Sequence, residues 1–243
     1  MKDWNGKRYW IVGASEGLGE ALARQLSKAG VSLVLSARSE DKLRDLAEDL
    51  PGRAEALPVD VTDPQNLDEA MAKIGEIDGV VQLAGVYWPF GAKDWNAEQA
   101  TTMATVNFVG AMNLMGAVVP RFVERDRGHI VLTGSLSGFR GLPGAAPYVS
   151  SKAGVMTLAE SLHADLRKTG VQVQLVNPGF VKTRLTDKND FKMPFIMEPE
   201  EGARHIYEHM SGDAFKRSFP RGFSLVFRGS QFLPDWLYYP IFA

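Results

Sequence analysis

Short runs rich in Val, Leu and Ile alternate with amphipathic segments of helix length along most of this chain, and few folds accommodate that order. A strand followed each time by a helix must return to the same end of the sheet, so successive strands lie parallel. The spacing predicts strands over 9–12, 31–36, 54–59, 79–83, 129–133, 171–176 and 224–227. Helical periodicity covers 17–29, 40–50, 64–74, 97–125 and 146–168, with a shorter candidate over 200–210. Gly30 and Gly170 follow helices and precede strands, where a left-handed cap is needed. The expected architecture is an α/β doubly wound Rossmann fold: a parallel sheet of about seven strands with helices on both faces. With 243 residues and 45% hydrophobic content, one domain over 1–243 is expected. Residues 183–199, polar and then apolar with two prolines, read as a substrate loop. The tail over 231–243 is strongly aromatic and too short to cross a membrane; it needs a partner surface, which packing on its own domain or on a symmetry mate would supply, with interfacial contact with a membrane and a lipid substrate as the alternative.

Charge narrows the function. Lys plus Arg number 27 against 29 Asp plus Glu, a net −2, so there is no basic excess to neutralise nucleic acid or an anionic membrane. The absence of cysteine excludes disulfides, thiolate catalysis and Cys-ligated zinc, and fits a reducing compartment. The first eight residues are polar, and no apolar run approaches the roughly 20 residues that span a bilayer. A cytoplasmic protein without membrane contact is therefore expected. His205 and His209 share a helix face, but no third ligand stands at a recognisable spacing, so no metal is expected.

Gly13-x-x-x-Gly17-x-Gly19 follows the first strand and opens the first helix. There, glycines let the backbone approach a pyrophosphate at a helix N-terminus. Beyond the second strand stands Ser36-Ala37-Arg38, where an acidic residue would accept from a free ribose hydroxyl. A guanidinium suits a 2′-phosphate instead, which favours NADP(H) and leaves NAD(H) possible. Glu16 and Glu40 pull the other way, the first by repelling a phosphate and the second by reaching a free ribose. Asp60 ends the third strand, while Asp63 before Pro64 is better placed to cap the next helix.

Of six tyrosines, only Tyr148 is followed by lysine at the fourth position, Lys152, which stacks the two side chains on one helix face. A phenol has a pKa of about 10, and a neighbouring ammonium favours its ionised form. Carbonyl reduction needs a proton donor beside the oxygen while hydride reaches the carbon, and Tyr148 can be that donor. Ser135, thirteen residues upstream and just past the fifth strand, can polarise the same oxygen. Ser137 is its rival.

Together these motifs resemble the short-chain dehydrogenase/reductase family over about residues 7–185. Ala84-Gly85 matches half of that family's Asn-Asn-Ala-Gly motif, with Gln82 and Leu83 in place of the asparagines, and Asn177-Pro178-Gly179 matches the loop beside the nicotinamide. The resemblance implies a catalytic set of Asn107, Ser135, Tyr148 and Lys152. In the family, the asparagine helps hold a water linking lysine to solvent; otherwise Asn107 is a helix-breaking polar group satisfied by backbone. Implied cofactor contacts are Gly13, Ser15, Gly17, Leu18, Gly19, Arg38, Asp60 and Val61 at the nucleotide end. At the nicotinamide end they are Ala84, Gly85, Tyr148, Lys152, Pro178, Gly179, Val181 and Thr183. A homodimer or homotetramer is implied too. The rival readings are an NAD-linked alcohol dehydrogenase and a cofactor-sensing regulatory protein without turnover.

Three apolar segments leave strand C-terminal ends: Tyr87, Trp88 and Phe90; Leu136, Phe139, Leu142 and Pro143; and Phe191, Met193, Phe195 and Met197. Ligands bind there in open α/β sheets, so a fairly large apolar carbonyl or secondary alcohol is the expected substrate.

Overall fold

Seven parallel strands form one sheet in the order β3-β2-β1-β4-β5-β6-β7, in a computed structural model that describes residues 2–242. Residues 1 and 243, the outermost of the expected domain and tail, lie outside that description. The strands are β1 (Arg8–Val12), β2 (Ser32–Ser36), β3 (Ala54–Ala56), β4 (Gly79–Gln82), β5 (Gly128–Thr133), β6 (Val171–Pro178) and β7 (Lys216–Phe219). The chain starts at the centre, winds outward to β3, returns across β1 and winds outward again to β7. That reversal opens a crevice beyond the C-terminal ends of β1 and β4.

The helices are α1 (Gly17–Lys28), α2 (Glu40–Asp49), α3 (Pro64–Ile74), α4 (Ala97–Ala104), α5 (Gly110–Glu124), α6 (Ala146–Leu166), α7 (Pro199–Met210), α8 (Arg221–Ser230) and α9 (Asp235–Phe242). Alternate strand residues feed two cores. On one face Tyr9, Ile11, Leu33 and Leu35 meet Leu22 and Leu26 of α1, Leu43 of α2 and Ile206 of α7. On the other, Trp10, Val80, Ile130 and Leu132 meet Leu67 of α3, Leu114 and Val118 of α5 and Val155 of α6. Both faces of the central strands are buried, and the polar side chains they carry, Gln82, His129, Thr133 and Gln174 among them, are buried with them.

Three expectations change. The seventh strand is Lys216–Phe219, while 224–227 lies inside α8. An apolar run of four cannot be told from a helical stripe by periodicity alone, and the true edge strand is polar, with only Phe219 buried. The third strand stops at Ala56 because Pro58 has no N–H to donate, although Leu57 and Val59 still donate to Leu35 and Ala37 of the neighbouring segment. The helix over 97–125 is broken by a π-turn at Thr105–Val109, centred on buried Asn107.

By length and composition the continuous stretch Ala97–Glu124 could cross a membrane. Its Met103, Ala111, Leu114, Val118 and Phe122 are instead fully buried against the sheet.

Asp63 caps α3 by accepting from the N–H groups of Gln65 (3.0 Å) and Asn66 (3.3 Å), with Pro64 in the first turn. Asp63→Ala is expected to cost about 1 kcal/mol and to lower the melting temperature by about 2–4 °C. An unchanged melt would show that the cap contributes nothing.

Candidate active site

The first strand-to-helix junction is built by close approach. Gly13 sits at φ +99°, where an L side chain would strain, and a Cβ on Gly19 would fall 1.9 Å from the Gly13 carbonyl oxygen. Only glycine lets α1 come this close to the end of β1. No side chain caps the first turn of α1, so its N–H groups face the cleft free to bind an anion. This junction fits a dinucleotide pyrophosphate.

A cleft of about 520 Å³ runs from there along the strand ends. At its nucleotide end it is lined by Gly13, Ser15, Gly17, Leu18, Gly19, Arg38, Asp60 and Val61, and at the other by Ala84, Gly85, Tyr148, Lys152, Pro178, Gly179, Val181 and Thr183. The fold thus brings together all the residues that the sequence assigns to the cofactor. Thr183 packs over Gly17, where an added Cβ would meet its methyl at 2.8 Å. The Asp60 carboxylate accepts from the Thr62 N–H and hydroxyl, at 2.9 and 2.8 Å, which fixes the turn beside Val61.

The charges that complicate the cofactor assignment are already engaged. Glu16 is paired with Lys42 at 2.9 Å and with Arg184 at 2.7 Å. Two cations offset its repulsion of a phosphate. Glu40 is paired with Arg44, its neighbour four residues on. Arg38 is exposed at the cleft edge and forms no ion pair among the described residues.

At the far end the cleft meets a second cavity of about 600 Å³, mostly apolar, and both are lined by Ser135, Tyr148, Gly179, Leu185 and Thr186. Tyr148 and Lys152 are on α6, and Ser135 sits between β5 and the single helical turn Leu136–Phe139. Burial pushes the Tyr148 phenol up to about 12, partly opposed by a hydrogen bond with Ser135. Burial also pulls the Lys152 amine down to about 8. Lys152 donates to the Thr133 carbonyl oxygen at 3.0 Å and stands 5.9 Å from the centre of the Tyr148 ring. Lysine therefore does not offset the desolvation of the phenol, contrary to the simple pairing that the spacing suggests.

Ser135 and its rival Ser137 act as a pair, with hydroxyls 2.9 Å apart. Asn107 lies outside both cavities' walls. Its amide oxygen accepts from the Val86 N–H at 2.7 Å, and its amide nitrogen donates to the Val86 carbonyl (3.0 Å) and the Ser151 hydroxyl (3.1 Å). Its side chain clamps the loop after β4, the backbone-satisfied arrangement.

Of the apolar residues named from sequence, Tyr87, Phe90, Leu136, Leu142, Pro143 and Phe191 line the second cavity. Met197 is buried in the core, Phe139 packs against it, and Trp88 lies under the Lys188 ammonium at 4.2 Å. Tyr87 does more than line the wall. Its ring meets that of Tyr148 edge-on at 4.9 Å, its hydroxyl donates to Asn189 at 3.0 Å, and its carbonyl accepts from Lys188 at 2.7 Å. It joins the substrate loop to the catalytic phenol.

Phe223 and Phe227 of α8 also line the cavity and were hidden by reading 224–227 as a strand. Their spacing of four was the available signal. His205 and His209 are engaged elsewhere: His205 contacts Arg217 at 3.0 Å, and His209 is buried 3.3 Å from the Phe215 carbonyl oxygen. Among the described residues, no three His, Asp or Glu are grouped to hold a metal.

Residues 7–193 match the short chain dehydrogenase family. An uncharacterized oxidoreductase of Myxococcus xanthus is 39% identical over 98% of this chain and 97% of its own length. One from Staphylococcus epidermidis is 37% identical over 74% and 80% of the two chains. Among solved structures, a short-chain dehydrogenase from Sphingobium yanoikuyae in complex with NADPH superposes with a TM-score of 0.82 at 28% identity, covering 92% of this chain and 91% of that one. Another from Burkholderia phymatum in complex with NAD gives 0.85 at 22% identity, covering 94% of each, and shares the fold. A glycine cradle at a helix N-terminus, a half-buried tyrosine beside a buried lysine, and these relatives lead to one conclusion: the chain belongs to the short-chain dehydrogenase family and is an NAD(P)-dependent oxidoreductase.

Proposed function

We propose that this enzyme is an NADP(H)-preferring oxidoreductase that moves hydride between the nicotinamide and the carbonyl or secondary alcohol carbon of an apolar substrate. One observation carries the reading: the Tyr148 and Ser135 side chains stand where the polar nucleotide cleft opens into the apolar cavity. A carbonyl there has a cofactor on one side and an apolar wall on the other.

The bound nicotinamide supplies or accepts the hydride. Tyr148 gives its proton to the carbonyl oxygen in reduction and takes it back in oxidation. A phenol held at about 12 is protonated at neutral pH, the form that reduction uses. The Ser135 and Ser137 hydroxyls are 2.9 Å apart, and with Ser137 as the donor the Ser135 hydroxyl is free to donate to the substrate oxygen. Lys152, fixed by the Thr133 carbonyl, holds the ribose and returns a proton towards the phenol. Asn107 keeps the loop after β4 in place beside it. Arg38, exposed and unpaired, supports selection of the 2′-phosphate, and Lys42 and Arg184 support it by offsetting Glu16. Partly exposed Val109, Met112 and Val123 near or on α5 support a contact between two copies of the chain.

Tyr148→Phe is expected to lower turnover of an apolar ketone by about 100- to 10,000-fold while leaving NADPH affinity unchanged. Undiminished turnover would remove Tyr148 from its role. Titration should show tighter binding of NADPH than NADH, and Arg38→Ala should weaken NADPH alone by about tenfold; equal loss for both cofactors would contradict phosphate selection. Reduction consumes a proton, and Lys152 is charged below a pKa lowered to about 8. Carbonyl reduction should therefore be level below about pH 8 and fall above it, whereas alcohol oxidation, in which a neutral Lys152 amine takes up the proton that leaves through Tyr148, should rise through the same range. Parallel profiles in both directions would rule this relay out.

A further inference from the structure

Nine of the thirteen large hydrophobic side chains exposed among the described residues lie between Phe191 and Ile241. Phe191 itself lines the apolar cavity. Phe195, on the substrate loop, is 69% exposed and meets Phe223 of α8 at 5.4 Å, and Phe223 lines the cavity. On the other side, α9 is anchored by buried Tyr238, whose hydroxyl donates to the Gly141 carbonyl oxygen at 2.6 Å, next to Leu142 and Pro143 of the cavity wall. From this anchor Trp236 projects at 75% exposure and Phe232, in the preceding turn, at 88%.

Helix α8 is apolar on two sides. Phe223 and Phe227 face the cavity, while Leu225 and Val226 are 58% and 51% exposed. A helix of this kind lacks a polar face wide enough for water and needs an apolar cover. The charges beside it identify the cover. Arg221 and Arg228 on α8 and Lys192 on the substrate loop are exposed, and no carboxylate pairs with them among the described residues. Of the acids in these segments, Asp190 lines the cavity, Asp235 is held by Arg140, Glu198 is paired with Lys182, and Asp187 is exposed with Arg184 and Lys188 beside it in the chain. A twofold contact centred on α8 would set Arg221 and Arg228 of one copy against those of the other, at a cost. An anionic bilayer would neutralise them while aromatic and aliphatic tips enter the headgroup boundary.

We propose that the substrate loop, α8 and α9 form a docking surface for an anionic lipid bilayer, through which an apolar substrate dissolved in the membrane enters the cavity. Docking stands on this surface alone, whereas delivery of substrate rests on the function proposed above. It replaces the expectation, drawn from the net charge and the length of the apolar runs, that the chain avoids membranes: the surface lies along a bilayer and does not cross it.

The test is flotation of the full chain with vesicles of phosphatidylcholine, alone or with about 30% phosphatidylglycerol. The protein should float with the anionic vesicles at least about tenfold better than with the neutral ones, and about 0.5 M salt should weaken that preference. Leu225→Glu with Val226→Glu should reduce flotation at least about tenfold with circular dichroism and NADPH binding intact. Should that variant misfold, Arg221→Gln with Arg228→Gln, which alters only exposed side chains, should abolish the preference for anionic lipid. The proposal is overturned if the native chain floats with neither vesicle or if the arginine variant keeps its preference. It is also overturned if light scattering finds a dimer that the glutamate variant turns into monomer, since a second copy would then be the cover. Flotation needs no turnover, so an enzyme inactive on ketones would defeat the proposed function and leave this one standing.

Discussion

At the seam between a polar cleft and an apolar cavity Lys152 is buried and Tyr148 half-buried, and the chemistry proposed for this enzyme follows from what the loss of water does to each. Desolvation acts against charge on both side chains, raising the phenol and lowering the amine. The phenol is thereby kept as a donor, and the amine can release its proton not far above neutral pH. Neither effect would exist on an exposed helix, where the same Tyr-x-x-x-Lys spacing would be an ordinary surface pair. The core that creates this burial is the two-sided packing of β5 and β6, with α6 laid over their ends.

The same sheet places the cofactor. Because β1 and β4 part company in the winding order, α1 starts beside the crevice, and the contact of Gly19 with the Gly13 carbonyl holds its uncapped N-terminus there. Positive potential at this turn comes from backbone and not from a basic side chain. Among the charged residues around it, Glu16 is paired with Lys42 and Arg184 at the nucleotide end of the cleft.

Much of this was legible in the sequence. Buried parallel strands read as apolar runs, and a glycine that must meet backbone cannot be replaced, so six strands and the whole nucleotide cleft stood out. Burial of the phenol was not legible, because it depends on Tyr87 and the substrate loop arriving from distant parts of the chain. The seventh strand failed for a local reason: Lys216–Phe219 pairs at an edge with little apolar content, while the apolar run beside it coils into α8 and turns its phenylalanines to the cavity. Asn107 carried its motif but not its partners, since the clamp on Val86 joins residues far apart in the chain.

The apolar material at the end of the chain and the catalytic seam form one continuous structure, with cavity wall, α8 and exposed tips in sequence. At its inner end the account makes one claim, that hydride passes directly between nicotinamide and a carbonyl carbon beside Tyr148. The measurement that reaches it most directly is isotope transfer. With NADPH deuterated on the reactive carbon and an apolar ketone in ordinary water, the product alcohol should carry one deuterium on its carbinol carbon. With unlabelled NADPH in deuterated water that carbon should carry none. Deuterium entering the carbinol carbon from solvent, or no alcohol formed from any apolar ketone with either nicotinamide cofactor, would contradict it.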